Sequence, residues 1–311
     1  MAHPKQHPQT RWWLLLLGLS LVGGLMVRGL NLTNLNTTAV VYWGLPWLVA
    51  VIITLTAPPG ADGQPRAKIS VMRGSIIAML GSSFLIGEGF ICVLMFLPIY
   101  ALVVALVLAT NAAVERRARA LSKRHPIHLT PLLLALLALE GTHPNLSFDR
   151  EGSVTVQEIT ALDRQKLWAN LHKPMTLNRT ASSGLSKLFP QPIQIDIDSF
   201  EPGAVHTVHY RYARWLWTNV HEGTLTLRVE EATNNTISAR VIDNTSYLAN
   251  YLDLKRLSLT ITDQPEGTRE VAIRIDYRRT LDPAWYFSPL IELALEGSGA
   301  HLINTHVLRE G

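Results

Sequence analysis

Hydrophobic and polar positions divide this chain into two regimes. From Trp12 to Val114 charged residues are few, whereas from Phe148 onward they recur every few positions, as on the surface of a globular domain. Four apolar segments are expected to cross a membrane. Trp12 to Val27 is an uncharged run that Gly29 and Leu30 extend past Arg28, whose long side chain can reach the interface. The segment is just long enough to span, and a cleaved signal peptide is the rival reading, although no small-residue cleavage site stands out. Ala39 to Ala57 supplies a second uncharged run close to the ~20 residues a span needs, with Tyr42, Trp43 and Trp47 suited to the interfacial belt. Gly74 to Val114 is too long for one crossing and fits two, joined by a turn at Gly87-Glu88-Gly89. Glu88 then sits at an interface; a proton or cation site inside a helical bundle is its other reading.

Basic residues orient these spans, because Lys and Arg in short loops collect on the cytoplasmic side. With the N-terminus inside, Lys5, Arg11, Arg66, Lys68, Arg73 and the run from Arg116 to Arg124 all fall inside, and Arg28 alone falls outside. The expectation is a four-span membrane region over residues 1–125 with both termini cytoplasmic, in a bacterial-type inner membrane. The run from 115 to 125 serves as a stop-transfer anchor and could also meet anionic headgroups. Ile127 to Leu139 is too short to span and reads as a helix lying in the interface or packed on the following domain, with a linker completing residues 126–151.

In residues 152–311 the period changes to two. SVTVQEITA alternates like a strand, Asp163 caps a helix whose face is marked by Leu167, Trp168 and Leu171, and Pro174 ends it. A short helical piece is expected around Gly184 to Phe189. Six strands follow, beginning at Pro192, Ala204, Gly223, Thr236, Leu254 and Arg269, separated by turn formers at Glu201-Pro202-Gly203, Asn234-Asn235 and Gln264-Pro265-Glu266-Gly267. Asp282-Pro283 then reads as a cap and first turn for a long C-terminal helix through Val307, weakened in its middle by Gly297 and Gly299. The implied class is α+β, an antiparallel sheet with one long helix.

Net charge is +4, and much of the basic excess lies beside apolar segments, so no nucleic-acid partner is expected. Cys92 is the only cysteine and lies in an apolar run, which excludes a disulfide framework or a cysteine metal site. His206 and His209 tempt as a metal pair, but three residues apart on a strand they point to opposite faces. No zinc site, phosphate loop, GxSxG elbow or cofactor is expected.

The order of strand, two short helices, six strands and long helix, with Leu167-Trp168 after the first strand and YRRTLDPAWYFSPL at the closing junction, resembles the START-like helix-grip superfamily (SRPBCC), which includes polyketide cyclases and the birch-pollen allergen group. The resemblance covers roughly residues 152 to 309. It implies a curved sheet gripping the long helix around an apolar cavity that receives a hydrophobic ligand. Leu225, Leu227, Val229, Leu257, Leu259, Ile261, Val271, Ile273 and Ile275 are expected to face that helix as core. Tyr210, Tyr212, Trp217, His221, Tyr277 and Arg279 are the cavity candidates, since such pockets are mostly apolar with a few polar groups. The expected function is binding of a lipid or other hydrophobic small molecule, with membrane lipids as partners. A cyclase or dehydratase using His206, His221 or Asp243 as acid or base, and a non-catalytic scaffold, are the alternatives.

Overall fold

In a computed structural model, residues 37–56, 90–120, 136–173, 175–176, 190–215 and 218–309 are described, with scattered positions before residue 82. Trp217, Glu88, most of the first apolar segment and the expected helical piece at Gly184 to Phe189 lie outside the described residues. The chain forms two compact units, Met1–Phe148 and Asp149–Gly311.

In the first unit a π-helical turn, Val40–Gly44, leads into helix α1, Leu45–Thr56, and helix α2 runs over Phe90–Ala120. The two helices pack on each other. Ala50, Ile99, Val103 and Val104 are fully buried, and Phe96 meets Tyr42 and Tyr100 edge-on at 5.5 and 5.6 Å. Leu94 and Leu102 of the same helix are exposed. Among the described residues one helix, Val93–Thr110, is long and apolar enough to cross a membrane; Val40–Ile52 is apolar but shorter. The described positions from Arg73 to Gly81 are helical, and α2 begins directly after the Gly87-Glu88-Gly89 sequence. Of the Ile127 to Leu139 segment only its end, from Leu136, is described, as two helical residues and a turn.

The second unit is built on one eight-stranded antiparallel sheet in the order β1-β8-β7-β6-β5-β4-β3-β2. Its strands are β1 Glu151–Thr160, β2 Met175–Thr176, β3 Gln191–Asp196, β4 Val205–Trp215, β5 Thr218–Ala232, β6 Thr236–Asn244, β7 Leu252–Asp263 and β8 Arg269–Arg279. Helix α3, Arg164–Leu171, follows β1, and helix α4, Ala284–Leu302, closes the chain with a π-helical turn at Ile303–Val307. Turn chemistry sets the hairpins: Gly203 and Gly267 adopt positive φ of 96° and 76°, and Thr233 accepts the amide of Thr236 at 3.0 Å across the Asn234-Asn235 turn. Register shifts in β3, β5 and β7 bend their strands and curve the sheet.

Alternation sorts the sheet into two faces. Val271, Ile273, Ile275 and Tyr277 are buried, as are Leu225, Leu227 and Val229. The partners of β8 across the sheet, Leu257, Leu259 and Ile261 on β7 and Val154 and Val156 on β1, share that inner face. Helix α4 packs on β1 and β8 with a stripe every fourth residue: Phe287, Ile291, Leu295, Gly299 and, past its end, Ile303. Gly299 belongs to that stripe because a Cβ there would lie 2.9 Å from Val156 Cγ2; the helix runs unbroken through it. This curved antiparallel sheet with a long C-terminal helix fits the helix-grip arrangement.

Two junctions differ from the reading by sequence. Asp163 caps α3 as expected, accepting the Lys166 amide at 2.7 Å. Asp282, by contrast, does not cap α4. It is wholly buried and its carboxylate accepts from the guanidinium groups of both Arg279 and Arg150, leaving Pro283 at the N-cap position. Two opposite charges next door outcompete two backbone amides for one buried carboxylate.

Candidate functional site

Among the described residues, the inner face is not completely covered. Leu257 and Leu259 alternate with the polar residues of β7 and lie directly opposite Ile275 and Ile273, yet both remain partly exposed while Ile261, Ile273 and Ile275 are buried. Ile237 of β6, opposite Leu259, carries this face to the edge of an open pocket of about 630 Å³. Arg164, Gln165 and Trp168 of α3 line one side, Ala232, Thr233 and Asn234 of the β5–β6 turn the other, and Phe200 and Ile237 the rest. Arg164 ties the two sides together, donating to the Asn234 carbonyl at 3.2 Å, to the Asn235 side chain, and to Asp263 at 2.8 Å.

The far end of α3 is clasped to the chain terminus. Asn170, 1% exposed, donates to the carbonyls of Val307 and Arg309 at 3.0 and 2.9 Å, satisfying groups that a helix end leaves open. His306 is buried beside Leu171. Burial holds its imidazole below the ordinary histidine value, only partly offset by a hydrogen bond with the Leu171 backbone.

The described cavity candidates, Tyr210, Tyr212, His221, Tyr277 and Arg279, occupy three separate places. Tyr210 and Tyr212 lie with His206 and Val208 on the inner side of β4, and packing raises the Tyr210 phenol to about 12. Tyr212 is buried and pairs across the strands with His221. Its ring lies 4.6 Å from Tyr247, which in turn meets His221 at 5.7 Å and Tyr251 at 5.5 Å. Tyr247 and Tyr251 share a hydroxyl hydrogen bond of 3.1 Å. This aromatic group depends on Gly223, since a Cβ there would overlap the Thr245 carbonyl and keep the Tyr247–Asn250 turn off the sheet. His221 Nε2 donates to that carbonyl at 3.1 Å when it carries the proton.

Tyr277 lies elsewhere on the inner face, over Gly152, where a Cβ would come within 2.6 Å of its ring. Burial, and secondarily the charge of Glu292, push its phenol up against the opposing effect of Arg279. Arg279 is 1% exposed and bonds Leu281, Asp282 and Asp149, so it locks the β8–α4 junction to the start of the domain. His206 and His209 point to opposite sides: His206 meets the Ser199 carbonyl at 2.6 Å beneath Phe200, while His209 meets the Asp196 carboxylate at 2.8 Å. Hydrogen bonds from Gln194 and then His209 hold the Asp196 carboxyl below its ordinary value. Asp243 is exposed.

Sequence reasoning treated Trp168 as a core marker and passed over Arg164, Gln165, Phe200, Tyr247 and Tyr251. In the structure Trp168 is partly exposed, whereas Leu167, Asn170 and Leu171 form the buried face of α3. The contacts of the others depend on loops whose return path no local pattern states.

No protein-family model matches the chain, and no curated protein matches it. Solved structures do. Ginseng major latex-like protein 151 from Panax ginseng is similar at 12% identity over 49% of this chain and 97% of its own, with a TM-score of 0.29. The Zhui aromatase/cyclase from Streptomyces sp. R1128 is similar at 11% identity over 49% and 96%, with a TM-score of 0.26. An uncharacterized protein from Bacillus thuringiensis is similar at 10% identity over 51% and 100%, with a TM-score of 0.31. The fold reading rests on this chain's own sheet order and its closing helix.

Proposed function

We propose that the domain Asp149–Gly311 binds a lipid or other hydrophobic small molecule between the sheet and α4, reached through the pocket beside α3. The observation that carries this is the partial exposure of Leu257 and Leu259 on a largely buried apolar face. Apolar surface left open in a concave site gains about 25 cal/mol per Å² when a ligand covers it, and a few polar groups at its edge fix the ligand's orientation. Trp168, Phe200 and Ile237 continue the apolar surface outward, and Arg164, Gln165 and Asn234 supply the polar edge. Filling the space tests the reading. With the domain released by a protease site placed in the exposed Pro144–Leu146 turn, the neutral fluorophore N-phenyl-1-naphthylamine should bind saturably at one per domain, and Leu259→Trp should abolish that binding. Unchanged binding in Leu259→Trp, with the fold intact, contradicts the site.

We further propose that the apolar helices of the first unit anchor the chain in a membrane by four spans, with both termini and the domain on the cytoplasmic face. The apolar stretch Val93–Thr110, the exposed Leu94 and Leu102 within it and the basic run that ends α2 support this. A tethered domain meets membrane-soluble ligands at high effective concentration, so modest affinity is enough. Replacing Cys92 by Ser and Lys255, an exposed residue of β7, by Cys gives a single reporter thiol. Intact cells should leave it unlabelled by a membrane-impermeant maleimide and lysed cells should expose it; labelling in intact cells would place the domain on the other side.

A further inference from the structure

Resting on the ligand-binding reading above, we propose that the pocket beside α3 receives the uncharged, hydroxyl-bearing headgroup of an amphiphile, such as a sugar or sterol-type hydroxyl, whose apolar tail continues along the inner face past Ile237 to Leu259 and Leu257. The lining is two-sided in chemistry. Trp168, Phe200 and Ile237 offer flat or branched apolar surface, and Gln165 and Asn234 offer carboxamides from opposite flanks. A carboxamide both donates and accepts, which matches a hydroxyl, itself donor and acceptor, better than it matches a phosphate or an ammonium.

Charge argues the same way. Among the described residues that line the pocket Arg164 alone is charged, and its guanidinium is engaged by Asp263, Asn235 and the Asn234 carbonyl. Asp263 also takes the Nε of Arg269 at 3.1 Å, so the cations at this edge already share a carboxylate. An anionic headgroup would compete with Asp263 for Arg164, and a cationic one would meet no carboxylate among the described lining residues. An uncharged headgroup uses the amides and leaves the ion pair in place. Continuity of the tail path follows from register: Ile237 lies directly opposite Leu259, and Ala239 opposite Leu257.

The test compares headgroups on one tail. The full chain in phosphatidylcholine nanodiscs is photolabelled with octyl probes carrying a tail diazirine and ending in β-glucoside, phosphate or trimethylammonium, and the labelled peptides are mapped. The glucoside should label α3 and the β5–β6 turn saturably and roughly tenfold more strongly than either charged probe, a difference equal to about 1.4 kcal/mol. Combining Gln165→Ala with Asn234→Ala should remove that advantage. Gln165→Glu should lower glucoside labelling and raise that of the ammonium probe, which a merely misfolded variant would not do. Stronger labelling by the phosphate or ammonium probe overturns the headgroup assignment while leaving ligand binding standing. Absence of pocket labelling by all three overturns the binding reading itself.

Discussion

Arg279 shows what a residue type in a pattern can and cannot say. Its position on the inner face of β8 follows from alternation with Val271, Ile273, Ile275 and Tyr277, and that much was legible. Its partner was not, because Asp282 looked like a helix cap and Arg150 lies 132 residues away from it in the chain. Buried charges of opposite sign stabilise only as a set, and removing one leaves the others uncompensated at a cost of about 3–5 kcal/mol. Asp282→Asn should therefore lower the domain's unfolding free energy by that order, measured by denaturant titration, while leaving the affinity of the folded domain for an apolar probe unchanged. A stability loss under ~1 kcal/mol, or a selective loss of affinity, would return Arg279 to the ligand cavity. Gly152 and Gly223 make the same point at smaller scale: each is glycine because an aromatic ring or a returning backbone occupies the place of its Cβ, and composition alone cannot tell such a glycine from a turn.

At the scale of elements, period and punctuation were enough for β6 and β8, whose bounds match the alternating runs Thr236–Asn244 and Arg269–Arg279, and for α3 with its Asp163 cap. The two-residue strand β2 was missed, having no length over which a period can show. Gly297 and Gly299 suggested a weak helix; tertiary packing against Val156 decides instead, since α4 needs a residue without a side chain there. The clasp between α3 and the turn after α4 was likewise invisible, because Asn170 acts on carbonyls more than a hundred residues onward. It carries a pH dependence. Since burial depresses His306 in the folded domain, the unfolded chain takes up its proton first. The neutral clasp is therefore intact above the ordinary histidine value near 6.5 and loses stability as pH falls through it toward the lower folded value. The unfolding midpoint should drop between pH 7 and pH 5, and His306→Gln should flatten that slope. An identical slope in the variant would assign the dependence to other groups.

Across the whole molecule, charge is sparse up to Val114 and dense after Phe148, and the structure divides into two units at Phe148 and Asp149. The α+β architecture was legible because strands alternating around turn formers, followed by one long amphipathic helix, leave few ways to bury the apolar faces. The pocket beside α3 was far less legible, being assembled from α3, the β3–β4 connection and the β5–β6 turn. The proposed ligand binding rests on the pocket's continuity with the partly exposed Leu257 and Leu259 of the inner face. The most direct measurement is native mass spectrometry of the domain, cleaved at the Pro144–Leu146 turn from full-length protein made in cells with ordinary lipids, followed by extraction and identification of what it carries. The account predicts one amphiphile per domain, lost in Leu259→Trp. A folded domain that repeatedly emerges at its bare polypeptide mass, whatever lipids the host supplies, would contradict it.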